Sequence, residues 1–293
     1  MNWVPLFFTD AVCHQLKHET FTQVSQLSGS WSEFGAEHGE KRREFRFYGK
    51  VYGREISYII EDRKKSIESP RMLAADLDWE FDRIRSVLCN SEKYFTNWVS
   101  MVENRRDVLS IISSLAANCT WRLFSERIEQ NRIFLEAFEN CPGFDKSYVQ
   151  EQGRESQDFI ARQVELGNVR SLDVYARLGK EIMNWPELEK LAKTLKTFVN
   201  SPRFNELIYD GSLANDIELF ELFLKRARAS ELKTIANLQI YNISLDKIRT
   251  LHPECREDST EIAWRIPNSN RRVASEECDR SFCLEVMSAA SAN

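Results

Sequence analysis

The stretch WPELEKLAKTLKTFVNSPRFNELIY, Trp185–Tyr209, holds the pattern that decides the fold. Pro186 suits a first helical turn, where its fixed φ helps and its missing N–H costs little. Leu188, Leu191, Leu195, Phe198 and Val199 then return every three or four residues, as one face of a helix does. Phe204, Leu207 and Tyr209 follow at i, i+3 and i+5, an apolar segment too short for another helix. The stretch reads as a helix leading into a strand.

The same spacing lies on either side. Val169, Leu172 and Val174 precede it; Leu232 and Ile235 begin it again, with a slip of one residue to Leu238. Ile262, Trp264 and Ile266 form a fourth alternating segment. Between them, Phe220, Phe223, Leu224 and Ala227 share a helix face behind Asn215 and Glu218, a variant capping box. Ser244 can cap a shorter helix running to Leu251. Strands alternating with helices through short connections imply parallel pairing and right-handed crossovers. We therefore expect neighbouring parallel strands around 169–175, 204–210 and 232–238, with helices at about 187–199 and 216–229 on one side. The segments start roughly 30 residues apart, near the period of leucine-rich repeats. The fold class is α/β, with a leucine-rich-repeat-like C-terminal region over 146–285 and a disordered tail over 286–293. An ordinary α/β domain with incidental regularity is the alternative.

Upstream, EFRFYGKVYGREISYII, Glu44–Ile60, alternates apolar and polar residues around Gly49 and Gly53 and reads as a β-hairpin. From Met72 to Asn140 the chain looks mainly helical. Trp79, Arg83, Ile84, Val87 and Leu88 keep a 3–4 spacing, and Phe95, Trp98, Val99 and Val102 continue it. Asp107–Ala117 is a further helix, Thr120–Phe124 a strand, and Phe134, Leu135 and Phe138 mark one more helix before the break at Cys141-Pro142-Gly143. Residues 46–145 are thus a hairpin plus a helical connecting region.

The first 45 residues read as a small helical module. In VPLFFTDAVCHQLKHETFTQVSQLSGSW, Val4–Trp31, Phe8, Val12 and Leu16 line one helix face. Thr20 caps a second helix with Phe21, Val24 and Leu27 at three-residue spacing, and Ser28-Gly29-Ser30 stops it before Trp31 and Phe34. Two helices this short cannot bury their apolar faces without a partner surface.

Val4-Pro5, Leu16, Val24, Leu27 and Trp31 stand in the order of the F-box, and this stretch resembles that motif. Trp185–Phe204 and IAWRIPNSNRR, Ile262–Arg272, are similar to stretches of nematode-type F-box-associated proteins. The resemblance implies a substrate-recruiting adaptor of a Skp–cullin–F-box ubiquitin ligase, with no catalysis of its own. It implies that Val4, Pro5, Leu6, Phe8, Val12 and Leu16 meet the Skp-type adaptor protein, and that Phe21, Val24, Leu27 and Trp31 form the module core. A protein substrate of unstated identity would bind the C-terminal region. Leu6 and Phe7 stand where the family often has an acidic residue.

Composition limits the other classes. Forty Lys and Arg against 45 Asp and Glu, interspersed, give a net charge of −5 and no basic stripe for nucleic acid. Seven Cys without a CxxC pair fit reduced thiols, hence a cytoplasmic or nuclear protein. The apolar Met1–Cys13 run has no basic n-region and is not a signal peptide, and no stretch approaches transmembrane length.

No constellation of catalytic residues competes with docking. His252, Cys255, Cys278 and Cys283 lack the paired spacing of structural zinc, and we expect no metal and no cofactor. Cys13 and His14 are helix neighbours that point apart, so His14, with His18 and His38, reads as a surface or capping residue. Asp210, Asp216, Glu231 and Lys233 loosely match nuclease carboxylates beside a lysine, which keeps a divergent hydrolase or nuclease as a second alternative. The first alternative is a repeat-type scaffold without ligase docking. Lys41-Arg42-Arg43 and Lys64-Lys65 read as solvated runs. Arg265, Arg271 and Arg272 read as recognition residues or edge-strand gatekeepers.

Overall fold

The computed structural model describes residues 5–16, 18–64, 72–90, 100–123, 128–151, 153–176, 185–210, 216–229, 231–232, 236–241, 256–258, 261–265, 271–278 and 281–288. The protein is a mixed α/β chain that divides into two compact units, Met1–Asp145 and Lys146–Asn293. No helix among the described residues is long and apolar enough to cross a membrane.

The first unit opens with α1 (Leu6–Gln15), α2 (Phe21–Val24) and α3 (Ser30–Lys41). Then come β1 (Arg43–Tyr52), β2 (Glu55–Asp62), β3 (Asp82–Cys89), β4 (Met101–Asn104), α4 (Arg105–Leu115), β5 (Ala116–Leu123) and α5 (Ile128–Phe138). Its strands lie in the order β5-β3-β1-β2-β4. The expected hairpin is β1 with β2, antiparallel from Phe45↔Asp62 to Tyr52↔Glu55. β3 runs parallel to both β1 and β5. Phe45, Phe47, Tyr58, Ile84, Val87, Ile112 and Trp121 fill the core. Phe144 packs its ring 5.8 Å from both Trp121 and Phe138. Gly143 is obligatory beside it, because a Cβ there would stand 2.0 Å from the Ala116 carbonyl oxygen, while its own carbonyl accepts from the Cys119 amide.

The middle of the chain is not mainly helical. Asp82–Cys89, expected within a helix, is the central strand β3. A parallel strand flanked on both edges and buried on both faces shows no alternation, and such a run mimics helical spacing. Only Ser86 in β3 is even half-exposed. Val102, assigned to a helix, lies in β4. Phe95, Trp98 and Val99 lie outside the described residues. The other expectations hold: α4 covers most of Asp107–Ala117, β5 most of Thr120–Phe124, and α5 contains Phe134, Leu135 and Phe138.

β6 (Phe144–Glu151) begins at the end of the first unit, and the second continues with α6 (Arg154–Leu166), β7 (Ser171–Ala176), α7 (Trp185–Val199), β8 (Glu206–Asp210), α8 (Asp216–Arg228) and β9 (Asn237–Tyr241). These four strands pair in parallel and in sequence order, with Leu172↔Leu207 and Leu207↔Leu238 in register. α7 packs on both α6 and α8, so the three crossovers share one side of the sheet. Val174, Leu207, Tyr209 and Leu238 are buried along with Leu191, Leu195, Phe198, Phe220 and Phe223. Phe204 joins α7 to α8 through its rings' approach to Phe198 (5.4 Å) and Phe223 (6.1 Å).

The fourth apolar segment breaks the repeat. β10 (Arg256–Asp258), β11 (Glu261–Arg265), β12 (Arg271–Cys278) and β13 (Ser281–Ser288) form antiparallel pairs, and β13 pairs antiparallel with β9. Connections this short admit hairpins and no helical crossover. Residues 286–288, expected in a disordered tail, pair with β12 instead; the last five lie outside the described residues. The helix expected after Ser244 also lies outside them.

Candidate docking module

The first three helices form a module with its own core of Cys13, Phe21 and Val24, against which Leu16, Trp31 and Phe34 pack. Pro5 precedes α1, and its carbonyl accepts from the Phe8 and Thr9 amides. The buried line of α1 is Thr9 and Cys13, not the expected Phe8, Val12 and Leu16. Thr9 fits there because its hydroxyl lies 3.3 Å from that of Ser30 on α3 and near the Pro5 carbonyl. Phe8 instead leans edge-on against Trp31, Val12 is half-exposed, and only Leu16 packs on the core. Thr20 does not cap; it ends a 3₁₀ turn, His18–Thr20, that runs on into the single turn of α2. α2 stops at Val24, so Leu27 falls beyond it and is 53% exposed rather than in the core. Gly29, at φ 68°, redirects the chain into α3. That helix extends through Ala36-Glu37-His38-Gly39-Glu40, where no helix was foreseen.

Arginines hold the module's base. The last carbonyls of α1 have no partner within the helix. Arg42 Nη1 donates to the Leu16 oxygen at 3.0 Å, Arg85 Nη2 to the same oxygen at 2.7 Å, and Arg83 Nε to the His14 oxygen at 3.4 Å. Asn118 on β5 donates to the Gln15 oxygen. Cations and donors at a helix C-terminus also meet the negative end of its dipole. Arg85 further donates to the Ala117 carbonyl and, at 2.8 Å, to Glu44 Oε1. Burial pulls the guanidinium pKa of Arg42 and of Arg83 down to about 10, which still leaves both charged at neutral pH. For Glu44, burial raises the carboxyl pKa, but the neighbouring Arg85, hydrogen-bonded to it, and Arg63 outweigh that and hold it below its ordinary value. The basic run around Arg42 is therefore only partly a solvated face. Arg42 is buried, stacked 4.7 Å over the Phe21 ring, while Arg43 pairs with Asp82 at 2.6 Å.

Among the described residues, Asp10, His14 and His38 stand close enough together to form a metal-ligand set. His38 is buried, neither a surface nor a capping residue. Its Nε2 lies 2.9 Å from Asp10 Oδ1, and His14 Nε2 lies 3.1 Å from Asp10 Oδ2. Arg42 Nη2 is 2.9 Å from His38 Nδ1. A guanidinium can only donate, so Nδ1 must accept and the proton of the neutral ring sits on Nε2, directed at Asp10. A metal at Nε2 would need that proton moved to Nδ1, against Arg42. The donor set does not fit a metal ion, and the trio acts as a polar clasp between α1 and α3.

The far end of the module is apolar and open. Pro5 is exposed, Leu6 is 62%, Phe7 77% and Phe8 49% exposed; Val4 lies outside the described residues. Of the six residues assigned to adaptor contact, Pro5, Leu6 and Phe8 thus share the exposed start of α1, whereas Leu16 belongs to the interior. Phe7, which was not among the assigned residues, is exposed beside them.

Most of the other candidates fall where the side chains are not described. Glu231 pairs with Arg226 at 3.2 Å, while Lys233 lies outside the described residues and the side chains of Asp210 and Asp216 are not described. The side chains of Arg265, Arg271, Arg272, Cys278 and Cys283 are not described either, and His252 and Cys255 lie outside. Cys13, Cys89, Cys119 and Cys141 are free and buried, and burial raises each thiol pKa. No known protein family and no characterised protein matches the chain in sequence.

Proposed function

We propose that this chain is an F-box-like, substrate-recruiting adaptor of a Skp–cullin–F-box ubiquitin ligase. One observation supports the reading above the others. A three-helix module whose base is tied down by Arg42, Arg83 and Arg85 exposes Leu6, Phe7 and Phe8 together at its opposite end. Contiguous exposed apolar side chains mark interaction sites, and the F-box resemblance supplies the partner. The parallel α/β ladder of the second unit then serves as the substrate-binding part, and ubiquitin transfer rests with other subunits.

The test is a pull-down of the full chain with purified Skp-type adaptor at micromolar concentration. Val4→Ala with Pro5→Ala should weaken binding by about a hundredfold, the effect of losing about 2.8 kcal/mol at an anchor. No binding by the unmutated chain would remove the ligase reading and leave a scaffold.

A further inference from the structure

The 3₁₀ turn His18–Thr20 joins α1 to α2 at the base of the module, just past the Leu16 carbonyl that Arg42 and Arg85 hold. His18 is half-buried there, with its ring edge-on to Phe21 at 6.3 Å. Its Nε2 lies 2.9 Å from the Nζ of Lys64, which follows β2. An ammonium can only donate, so Nε2 must accept, and the proton of the neutral ring sits on Nδ1. Nδ1 is buried and has no hydrogen-bond partner.

A second proton turns this ring from an acceptor into a donor on both nitrogens. The new N–H points at the Lys64 ammonium, and the charged ring faces Arg42 and Arg85, with Glu44 the one carboxylate acting on it among the described residues. Lys64 is exposed and can swing into water. Arg42 and Arg85 cannot, because both are buried and tied down: Arg42 to the Leu16 oxygen and His38 Nδ1, Arg85 to the oxygens of Leu16 and Ala117 and to Glu44. Glu44 is already engaged by Arg85 and Arg63. We infer that His18 is a proton-sensitive latch: its neutral ring closes the base of the module, and its charged ring loosens the end of α1. Burial first, then the charges of Lys64, Arg42 and Arg85, outweigh Glu44 and hold the His18 pKa below its ordinary 6.5. The folded chain therefore takes this proton less readily than the unfolded one. The latch is complete above that ordinary value and fades as pH falls from it toward the lower folded value.

The experiment follows amide exchange of α1 in the full chain at about pH 7.5 and about pH 5.5, corrected for the intrinsic pH dependence of exchange, with an NMR titration of the imidazole resonances. His18→Gln removes the titrating group, and Lys64→Met removes the cation facing it. In the unmutated chain the α1 amides should open about threefold more at the lower pH, relative to those of β8, as befits a partly exposed charge contact. His18→Gln should abolish this difference. Lys64→Met should reduce it and move the His18 midpoint upward. Protection of α1 that does not change with pH, an equal change in His18→Gln, or a His18 midpoint at or above its ordinary value would each overturn the inference. Should His18→Gln fail to fold, Lys64→Met decides, and an unmoved midpoint overturns the latch.

Discussion

Replacing Arg85 by Met keeps the side-chain stem and removes the guanidinium. Three acceptors lose a donor: the Leu16 oxygen, which retains Arg42; the Ala117 oxygen; and Glu44, which retains the partly exposed Arg63 at 3.2 Å. An orphaned buried carbonyl costs about 1–3 kcal/mol. Stripping one partner from a buried ion pair costs about 3–5 kcal/mol. The Arg63 contact and residual hydration of Glu44 offset part of this, so the net loss should be about 3–4 kcal/mol. For a unit of this size, each kcal/mol shifts the melting temperature by about 2–4 °C, which places Arg85→Met roughly 10 °C lower. Hydrogen exchange should show faster exchange of the α1 amides than of the β8 amides, because the lost bonds hold the module and not the second unit. A melting temperature within about 2 °C of the unmutated chain, with α1 protection unchanged, would refute the anchoring argument.

Three further outcomes follow from the same geometry. Because the Glu44 carboxyl is held below its ordinary value of 4.5, its contribution is complete above that pH and fades as pH falls through the lower folded value; Glu44→Gln should flatten this acid limb of a stability-versus-pH series. Cys13, Cys89, Cys119 and Cys141 should resist a thiol reagent in the native chain and react once guanidinium unfolds it, as a thiol count against time will register. Phe204→Ala should destabilise by about 3–5 kcal/mol in denaturant titration, since it leaves Phe198 and Phe223 facing a void, whereas Lys190→Ala, at a surface pair with Asp158, should change stability by less than about 1 kcal/mol.

The repeat was legible because its strands are half-alternating and its helices one-faced. Leu172 and Leu207, the second apolar positions of their segments, line up in register with Leu238, the position reached by the one-residue slip, although the third strand, Asn237–Tyr241, starts later than the expected 232–238. β3 was not legible, since a strand covered on both faces has no polar phase to announce its period. The N-terminal helical module divides similarly. Phe21 and Val24 were assigned from their spacing and Trp31 from the resemblance, and all three pack together; Leu27 shared the spacing but falls outside the core, because the one-turn α2 ends before it. Arg42 and His38 were misread as surface residues. Their partners, Leu16, Asp10 and each other, come together only once α3 packs on α1, and no local pattern encodes that meeting.

The clamps on α1 also bear on the order in which the chain can become structured during synthesis. The helix is made first, but the acceptor–donor pairs that hold its end span 69 residues to Arg83 and Arg85 and 103 to Asn118. At about 5–20 residues per second, the ribosome supplies the last of these donors about 5–20 s after the helix itself. Through that interval Leu6, Phe7 and Phe8 are presented on an unsecured module, so the nascent chain is most open to chaperone capture before its sheet exists.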